Sequence, residues 1–553
     1  MTADPAAVSA APSLADFEPL RRAERALLKA CARGDIARVG LRRPDAASAD
    51  VTVRASLIAF LARGGGRVSG RRIQLLGAWV EGRLDLGESR VPASLWFYRC
   101  VFDNTPLFDG AQVEGALSFP DCVLPGLLAD RCRITQDLAL NAGCRIAEEL
   151  RLQQAHIGGD LNCARLVLSS EDGDRVGRRP LQADGLRVAG SVRLTEGFEA
   201  SGEVRFVGAR VRGDWLASRA HLTGPVDSGG ARRTALLLDR IHVGGDLRLD
   251  EGFAAAGRVS LRRARVGGDL DCTGAAFDRV GDATWGDGIA LALDRARIGG
   301  ALRLRGLQGP LLGASFAGTR VGTLVDDAST WGERLVLDGF AYSSFGEGAP
   351  LDAPFRLAWL ERQPPAHLEG DFRMHPWHRA IAVLRRMGHV HSAGEIALRR
   401  ERRLRRIGLI GGGAPPALRW LSRGAHALFG LLAGYGWRPQ RLGAWAAAVW
   451  LASAALFWVA AEDGAIVATP AIDAAAPFSP LAYSLDLLLP LVDLQQRHAW
   501  APVVRAPRQH AQFDFDWSDG VRLVGRFEAV FGWSAALLLF ASLAGWGDRD
   551  RRR

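Results

Sequence analysis

Residues 243–249 read Val-Gly-Gly-Asp-Leu-Arg-Leu. The two glycines predict a tight corner, and the residues after them predict a short strand with Leu247 and Leu249 on one face and Arg248 on the other. The same pattern returns along the chain at 80–86, 113–119, 134–140, 146–152, 157–163, 188–194, 211–217, 266–272 and 298–304, with weaker copies at 200–206 and 255–261. Such recurrence indicates a repeat architecture in which every copy is one unit of a stacked array.

The spacing of the copies predicts the kind of repeat. Their starts fall at 134, 146 and 157, then 188, 200 and 211, then 243, 255 and 266, so short steps of 12 and 11 lie within a longer period. A short step holds two strands, so roughly 22 residues form one coil of a parallel β-helix, right-handed by the rule for parallel crossovers. The longer period exceeds two coils, and polar inserts at 171–179, 224–233 and 280–288 account for the surplus. We expect these inserts to protrude from one side in every second coil.

The chain divides into four predicted domains, and the fold class is mainly β with helical additions. Residues 1–66 contain two amphipathic helical patterns and predict an N-terminal cap, because an open coil end exposes apolar side chains. Residues 67–345 form the β-helix of about 11 coils. Residues 346–408 predict a helical connector, and residues 409–553 predict a helical membrane domain.

Composition narrows the class of protein. Hydrophobic residues make up 48% of the chain and the net charge is +10, which suits a globular part with a membrane part and an anionic partner or surface. The seven cysteines contain no CxxC pair, which argues against a zinc ribbon or a redox motif. Cys100, Cys122 and Cys144 are spaced by one predicted coil each, so we expect a reduced stack inside the coils.

One outward column is a candidate binding surface. Arg193, Arg248 and Arg303 occupy the sixth place of the pattern and recur with the long period, so they should stand above one another on every second coil. They form either a site for an anionic partner or a solvated surface. No nucleophile motif, dinucleotide-binding motif or phosphate loop is present, so we predict no catalytic residues and no cofactor.

The aspartates of the Gly-Gly-Asp corners could suggest calcium, which some repeat arrays bind. Asp160, Asp214 and Asp269 also recur with the long period, and Asp246 shares their place in the pattern. Their sequence neighbours are glycine and leucine, so a second carboxylate at ligand spacing is missing. We therefore predict no metal site and expect each aspartate to bond its own corner as a turn former.

The C-terminal region predicts two membrane spans. Residues 442–461 and 529–546 contain no charge and are long enough to cross a bilayer. Residues 418–437 predict an interfacial helix, and 477–494 predict a re-entrant or interfacial segment. Arginines cluster before the first span and after the second, so both termini and the β-helix are predicted to be cytoplasmic at a bacterial plasma membrane.

Two further features belong to this region. A basic run predicts contact with anionic lipid and consists of Arg399, Arg400, Arg402, Arg403, Arg405 and Arg406. Asp486 is a candidate carboxylate at membrane depth, or else a solvated loop residue. The order span, short segment, span is typical of a two-helix pore subunit, although residues 490–494 (Pro-Leu-Val-Asp-Leu) stand where a carbonyl filter would fall.

The chain resembles an actinobacterial group of membrane-anchored, pentapeptide-repeat-like proteins. The resemblance is carried by IQLLGAWVEGRLDL at 73–86, ARVGGDLDCTGA at 264–275, LVLDGFAY at 335–342, GYGWRPQRL at 434–442 and PFSPLAYSLDLLLPLVDL at 477–494. The resemblance implies a β-helix tethered to a membrane. Members are often labelled membrane-associated oxidoreductases, but the chain shows no flavin, nicotinamide, haem or iron–sulfur motif.

These observations predict an interaction scaffold or sensor, tethered to the membrane, with no catalytic activity. The first alternative is a degenerate pore or transport subunit gated by the β-helix, and the second is the oxidoreductase that the family label suggests. The expected partners are the lipid bilayer, a protein partner not identified by the sequence, and a second copy of the chain. No nucleic acid is expected.

Overall fold

The structure is a computed structural model that describes residues 13–169, 179–226, 232–278, 288–410, 415–469, 477–503 and 517–551. The chain divides into two compact units, Met1–Ala393 and Gly394–Arg553. The predicted inserts at 171–179, 224–233 and 280–288 lie largely outside the described residues.

The first unit is a parallel β-solenoid of about twelve coils, as the repeat predicts. Each complete coil contributes four short strands, so the strands stack into four columns. The first column contains Arg90–Val91, Gln112–Val113, Arg133–Ile134, His156–Ile157, Arg187–Val188, Arg210–Val211, His242–Val243 and Arg265–Val266. The second contains Ala37–Arg38, Arg72–Leu76, Ser94–Tyr98, Leu117–Ser118, Leu138–Ala139, Leu161–Asn162, Val192–Arg193, Trp215–Leu216, Leu247–Arg248 and Leu270–Asp271. These two columns form one sheet, because three longer strands run through both: Arg297–Leu304, Arg320–Asp326 and Ala341–Phe345.

The other two columns form separate sheets. The third contains Thr52–Arg54, Trp79–Glu81, Val101–Phe102, Val123–Leu124, Arg145–Ile146, Val167–Leu168, Glu199–Ser201, His221–Thr223, Ala254–Ala256 and Ala276–Phe277. The fourth contains Leu127–Leu128, Leu150–Arg151, Leu181–Gln182, Val204–Arg205, Thr234–Leu237, Arg258–Ser260, Leu291–Ala292, Leu311–Ser315 and Trp331–Val336. In the chain, each of the three inserts follows a third-column strand and precedes the next fourth-column strand, once in every second coil.

The interior is a stack of apolar side chains, because alternate residues of each strand point inward. Leu194, Leu249 and Leu304 are fully buried, as the pattern requires. Cys100 and Cys122 lie on successive coils, where the Cys100 amide donates to the Cys122 Sγ atom over 3.3 Å. All seven cysteines are free and buried. Burial raises the pKa of Cys144 to about 12, so its thiol stays protonated.

The Gly-Gly-Asp corner is explained by contacts between coils. Asp214 Oδ1 accepts a hydrogen bond of 2.9 Å from the Asp246 amide, which lies one coil further on. The same bond joins Asp137 to Asp160, Asp160 to Ser191, Asp246 to Asp269, and Asp269 to Ala301. The expectation that each aspartate bonds its own corner is therefore wrong: the carboxylate satisfies the amide of the following coil.

Where the corner has two glycines, the coils approach too closely for a side chain at either position. A Cβ atom on Gly244 would lie 2.2 Å from the Arg212 carbonyl oxygen, and one on Gly245 would lie 2.0 Å from Asp214 Oδ1. Gly267 and Gly268 meet the same two obstacles one coil further on. The Gly-Gly-Asp sequence thus allows successive coils to stack in close contact.

Helices cover both ends of the solenoid. At the N-terminal end, α1 (Arg22–Arg33) and α2 (Ala55–Ala62) flank two short strands, Ala37–Arg38 and Thr52–Arg54, which pair with solenoid strands. The region predicted as a cap therefore also contributes to the first coil. Glu24 on α1 is fully buried, and its Oε1 atom lies 2.7 Å from Arg54 Nε.

At the C-terminal end lie α3 (Ala353–Glu361), α4 (Pro365–Leu368) and α5 (Met374–Arg386). Arg356 on α3 and Asp326 on the solenoid are both fully buried and form a two-pronged ion pair with N–O distances of 2.7 and 2.8 Å. Asp326 also accepts from the Trp331 indole over 2.7 Å, and the Arg356 guanidinium lies 3.8 Å from the Phe345 ring centroid. The predicted connector therefore begins as a cap on the last coil.

The second unit is helical. Its elements are the end of α6 (Val390–Arg406), then α7 (Pro416–Ala433), α8 (Gln440–Glu462), α9 (Pro480–Leu488), α10 (Gln496–Ala499) and α11 (Trp517–Arg551). A two-stranded antiparallel sheet pairs Ile466–Ala468 with Trp500–Pro502. Helices α8, α9 and α11 pack together around Phe457, Tyr483 and Val521.

Two helices of this unit are long and apolar enough to cross a membrane, Gln440–Glu462 and Trp517–Phe540. Only 22% and 11% of their most apolar windows are buried within the structure, so their apolar side chains face outward. The second segment begins earlier in the chain than the predicted span 529–546. The predicted segment 477–494 contains only the short helix α9.

Candidate functional site

The first column carries one basic side chain per coil over eight consecutive coils. Each begins a strand and points outward, while the next residue, isoleucine or valine, points inward. These residues, called the basic row below, are Arg133, His156, Arg187, Arg210, His242, Arg265, Arg297 and Arg320. The arginines are exposed and the histidines half-exposed. Strands of one sheet lie about 4.8 Å apart, so the row is about 34 Å long.

A groove of about 1200 Å³ runs along the basic row. In each coil it is lined by the basic residue, the isoleucine or valine after it, and then a third residue that is usually small, such as Gly244 or Ala189. In one coil this third residue is Arg212. Among the residues that the structure describes, no aspartate or glutamate lines the groove, and most of its exposed lining is apolar. Where this third residue is glycine, an added Cβ atom would meet a carbonyl oxygen of the adjacent coil, so these places along the groove stay free of side chains.

The positive charges of the basic row are not compensated within the described residues. None of its six arginines forms an ion pair in that part of the chain. A second row stands at the preceding corner, where Arg240, Arg263 and Arg295 are exposed. All three adopt left-handed backbone, with φ of 60°, 57° and 59°, a conformation that costs a non-glycine residue about 1 kcal/mol or more.

The predicted column of Arg193, Arg248 and Arg303 lies on the adjacent second-column strands of alternate coils, as its spacing implies. Its charges are shared with carboxylates. Arg193 Nη1 lies 2.5 Å from Asp160 Oδ2, and Arg303 Nη1 lies 2.5 Å from Asp269 Oδ2. Arg248 pairs instead with Asp250, two residues further on in the same coil, over 2.7 Å. An external anion at this column would have to compete with these carboxylates.

The environment of Asp160 agrees with that pairing. Burial by itself would raise the pKa of Asp160. The hydrogen bonds from the Ser191 amide and from Arg193 lower this pKa by more than burial raises it, so the pKa of Asp160 lies below its ordinary value. The same balance lowers the pKa of Asp269, which accepts from the Ala301 amide and Arg303. Both aspartates are therefore ionised structural partners of the second-column arginines.

The basic row was not singled out from the sequence, although a signal was present. The residue immediately before the pattern is arginine or histidine in each consecutive first-column copy from 134 onward, for example Arg187 before 188–194 and His242 before 243–249. The sequence pattern does not show where the acidic residues lie relative to these basic side chains.

The helical unit places the other predicted residues. Asp486 on α9 is buried, and its two oxygens accept from the Leu494 and Arg497 amides over 2.9 Å each. The carboxylate thus has a structural role in holding the loop after α9. The basic run occupies the last turns of α6, where Arg400 pairs with Glu401 over 2.5 Å and Arg399, Arg402 and Arg406 are exposed. Its contact with lipid stays a prediction.

No cluster of three or more metal-ligating side chains occurs among the residues that the structure describes. No protein-family model, curated protein or solved structure matches the chain. The geometry of the basic groove and of the helical unit therefore carries the functional argument.

Proposed function

We propose that this protein is a membrane-anchored interaction scaffold whose β-solenoid binds an acidic, extended segment of a partner protein along the basic groove. The observation that carries the proposal is the basic row itself. Its six arginines have no ion-pair partner in the described residues, whereas the neighbouring arginine column is neutralised by aspartates. A surface that served only for solubility would not need this separation of paired and unpaired rows.

The shape of the groove favours an extended polypeptide. The solenoid uses its backbone hydrogen bonds between coils, so a ligand lying along the groove is recognised by side chains alone. The apolar lining suits small or apolar side chains, and the arginines can hold carboxylates through two parallel hydrogen bonds. A peptide at about 3.3 Å per residue needs about ten residues to follow the row, which is about 34 Å long.

The helical unit supplies the anchor in this proposal. Its two apolar helices could span a bilayer, and their exposed apolar faces require lipid or a further helix. The arginines of α6 would then meet anionic headgroups, and the positive-inside rule would put the solenoid on the cytoplasmic side. The solenoid would thus present its groove to cytoplasmic partners.

The test is a binding measurement on the full-length protein in nanodiscs of zwitterionic lipid. The probe is a fluorescent ten-residue peptide that alternates glutamate with alanine, and anisotropy gives its affinity. The groove variant carries R187Q, R210Q and R265Q. The matched control carries R193Q, R248Q and R303Q, which removes the same number of charges from the adjacent paired column.

We expect the groove variant to bind the peptide at least about tenfold more weakly, since each hydrogen bond to a charged group contributes about 1.5–3 kcal/mol. The control should bind like wild type, and added salt should weaken the wild-type complex. Equal losses in both variants would reduce the effect to net charge and refute the groove. Tighter binding of a single-stranded DNA or of anionic vesicles than of the peptide would assign the surface to that class of partner instead.

A further inference from the structure

A buried carboxyl group in the helical unit has no role in the proposed scaffold. Glu528 lies on α11, within the segment Trp517–Phe540 that could cross a membrane, and is fully buried. Within the described residues it forms no ion pair, and its Oε2 atom has no hydrogen-bond partner. An ionisable side chain placed so deeply in an apolar helix pair is costly to keep without a purpose.

The hydrogen bonds around Glu528 indicate where its proton lies. Ser484 on α9 is fully buried, and its Oγ atom contacts both Glu528 Oε1 and the carbonyl oxygen of Trp450 on α8, the latter over 3.0 Å. A hydroxyl group has a single hydrogen to donate. The Trp450 carbonyl can only accept, so the Ser484 hydrogen satisfies that contact. With the serine hydrogen placed there, the hydrogen between Ser484 and Glu528 comes from Glu528.

The opposite assignment is unfavourable. If Ser484 donated to an ionised Glu528, the Trp450 contact would have no hydrogen, and the second carboxylate oxygen would be buried as an unpaired charge. The surrounding helices offer no compensation: residues 442–461 of α8 contain no titratable side chain, and α9 contributes Tyr483 and Asp486. On the described part of α11 itself, Arg526 forms no ion pair with Glu528, and Arg522 donates to the Val503 carbonyl over 2.7 Å.

We propose that Glu528 is a proton-binding site of the helical unit. Its neutral carboxyl group donates to Ser484, and Ser484 donates to the Trp450 carbonyl, so one bound proton links α11, α9 and α8. The close approach of the helices holds this chain in place, since a Cβ atom on Gly532 would lie 1.9 Å from the Leu488 carbonyl oxygen. Loss of the proton leaves an unpaired anion between the helices and weakens their packing.

Two measurements on the full-length protein in lipid vesicles test the site. Infrared difference spectra between wild type and E528Q should show the carbonyl stretch of a neutral carboxylic acid in the wild type alone. Dicyclohexylcarbodiimide, an apolar reagent that adds to protonated carboxyl groups and leaves a stable acylurea, should label Glu528 in proteolytic fragments analysed by mass spectrometry. The exposed Glu462→Gln variant at the end of α8 is the matched control and should retain both signals.

The wild-type protein alone can overturn the proposal, so a variant that fails to fold does not weaken the test. We expect the labelling of Glu528 to fall tenfold per unit of pH once the buffer is alkaline enough to remove the proton. We also expect the S484A variant to be labelled at a different rate from wild type. An absent acid carbonyl band, or absent labelling in acidic buffer, would show an ionised carboxylate and refute the proposal. Protection from labelling by Na⁺ at constant pH would assign a metal ion to the site and refute the proton as its ligand.

Discussion

Replacing Asp326 with asparagine should weaken the attachment of the C-terminal helical cap to the solenoid. The substitution preserves the shape of the side chain but removes the charge opposite Arg356, which has no exposed surface. The arginine would then be a buried cation whose remaining acceptors are neutral, namely the amide oxygen of the new side chain and the Pro350 carbonyl at 2.8 Å. Its stacking on Phe345 cannot replace the lost carboxylate, because a cation over an aromatic ring contributes only about 0.5–2 kcal/mol.

The expected size of the effect follows from the burial of both partners. Removing one member of a buried ion pair costs about 3–5 kcal/mol, mainly because the other charge stays buried without compensation. Solenoids are stabilised by contacts between neighbouring coils, so the damage should be local to the last coils. Each tenfold change in an equilibrium corresponds to about 1.4 kcal/mol, so protection of these coils against opening should fall by about two to three and a half orders of magnitude.

Hydrogen exchange followed by mass spectrometry on the full-length protein measures this directly. Peptides covering 331–345 should lose protection in D326N, while peptides from the middle of the solenoid should not. The exposed pair of Arg22 and Asp50, with side chains 79% and 71% exposed, gives a control, and D50N should change protection by less than about a factor of five. A D326L/R356M double variant should recover most of the loss. Unchanged protection of residues 331–345 in D326N would refute the conclusion that this ion pair holds the C-terminal cap on the solenoid.

Two further predictions concern the coils and the N-terminal end. Gly245→Ala should lower the unfolding free energy by about 1–3 kcal/mol, because its Cβ atom would collide with a carboxylate of the preceding coil. The control is Gly370→Ala, which has open space around it and should leave thermal unfolding unchanged. Equal stability of the two variants would contradict the role of the corner glycine. Burial raises the pKa of Glu24, but the hydrogen bonds and charge of Arg54 outweigh it, so the folded pKa lies below the unfolded value. Glu24 therefore stabilises the fold fully above the unfolded pKa of about 4.3, and this contribution disappears as the pH falls through the folded pKa. Acid titration of stability should show a steeper decline for wild type than for E24Q, and parallel curves would contradict this assignment.

Much of the solenoid could be predicted from local sequence because its physical cause is periodic. A stacked coil must return the same kind of side chain to the interior at a constant interval, so Leu194, Leu249 and Leu304 reveal both the coil and its long period. The glycines of the corner were also readable as a turn. The reason for glycine at this corner could not be predicted. Gly245 is required by the carboxylate of Asp214 in the preceding coil, and only the stacked structure brings the two residues together.

The candidate sites depended on the tertiary structure in the same way. The sequence shows arginines at Arg193 and Arg187 alike, but it does not show that the first faces Asp160 and that the second faces a groove whose described lining contains no acids. That difference arises from which strands become neighbours when the coils stack. Glu528 was likewise visible as a residue near a predicted span, yet its hydrogen-bond partner, Ser484, lies on another helix. Local sequence thus determined the solenoid and the two helices that are long and apolar enough to cross a membrane, while the compensation of each charge was decided by contacts between distant parts of the chain.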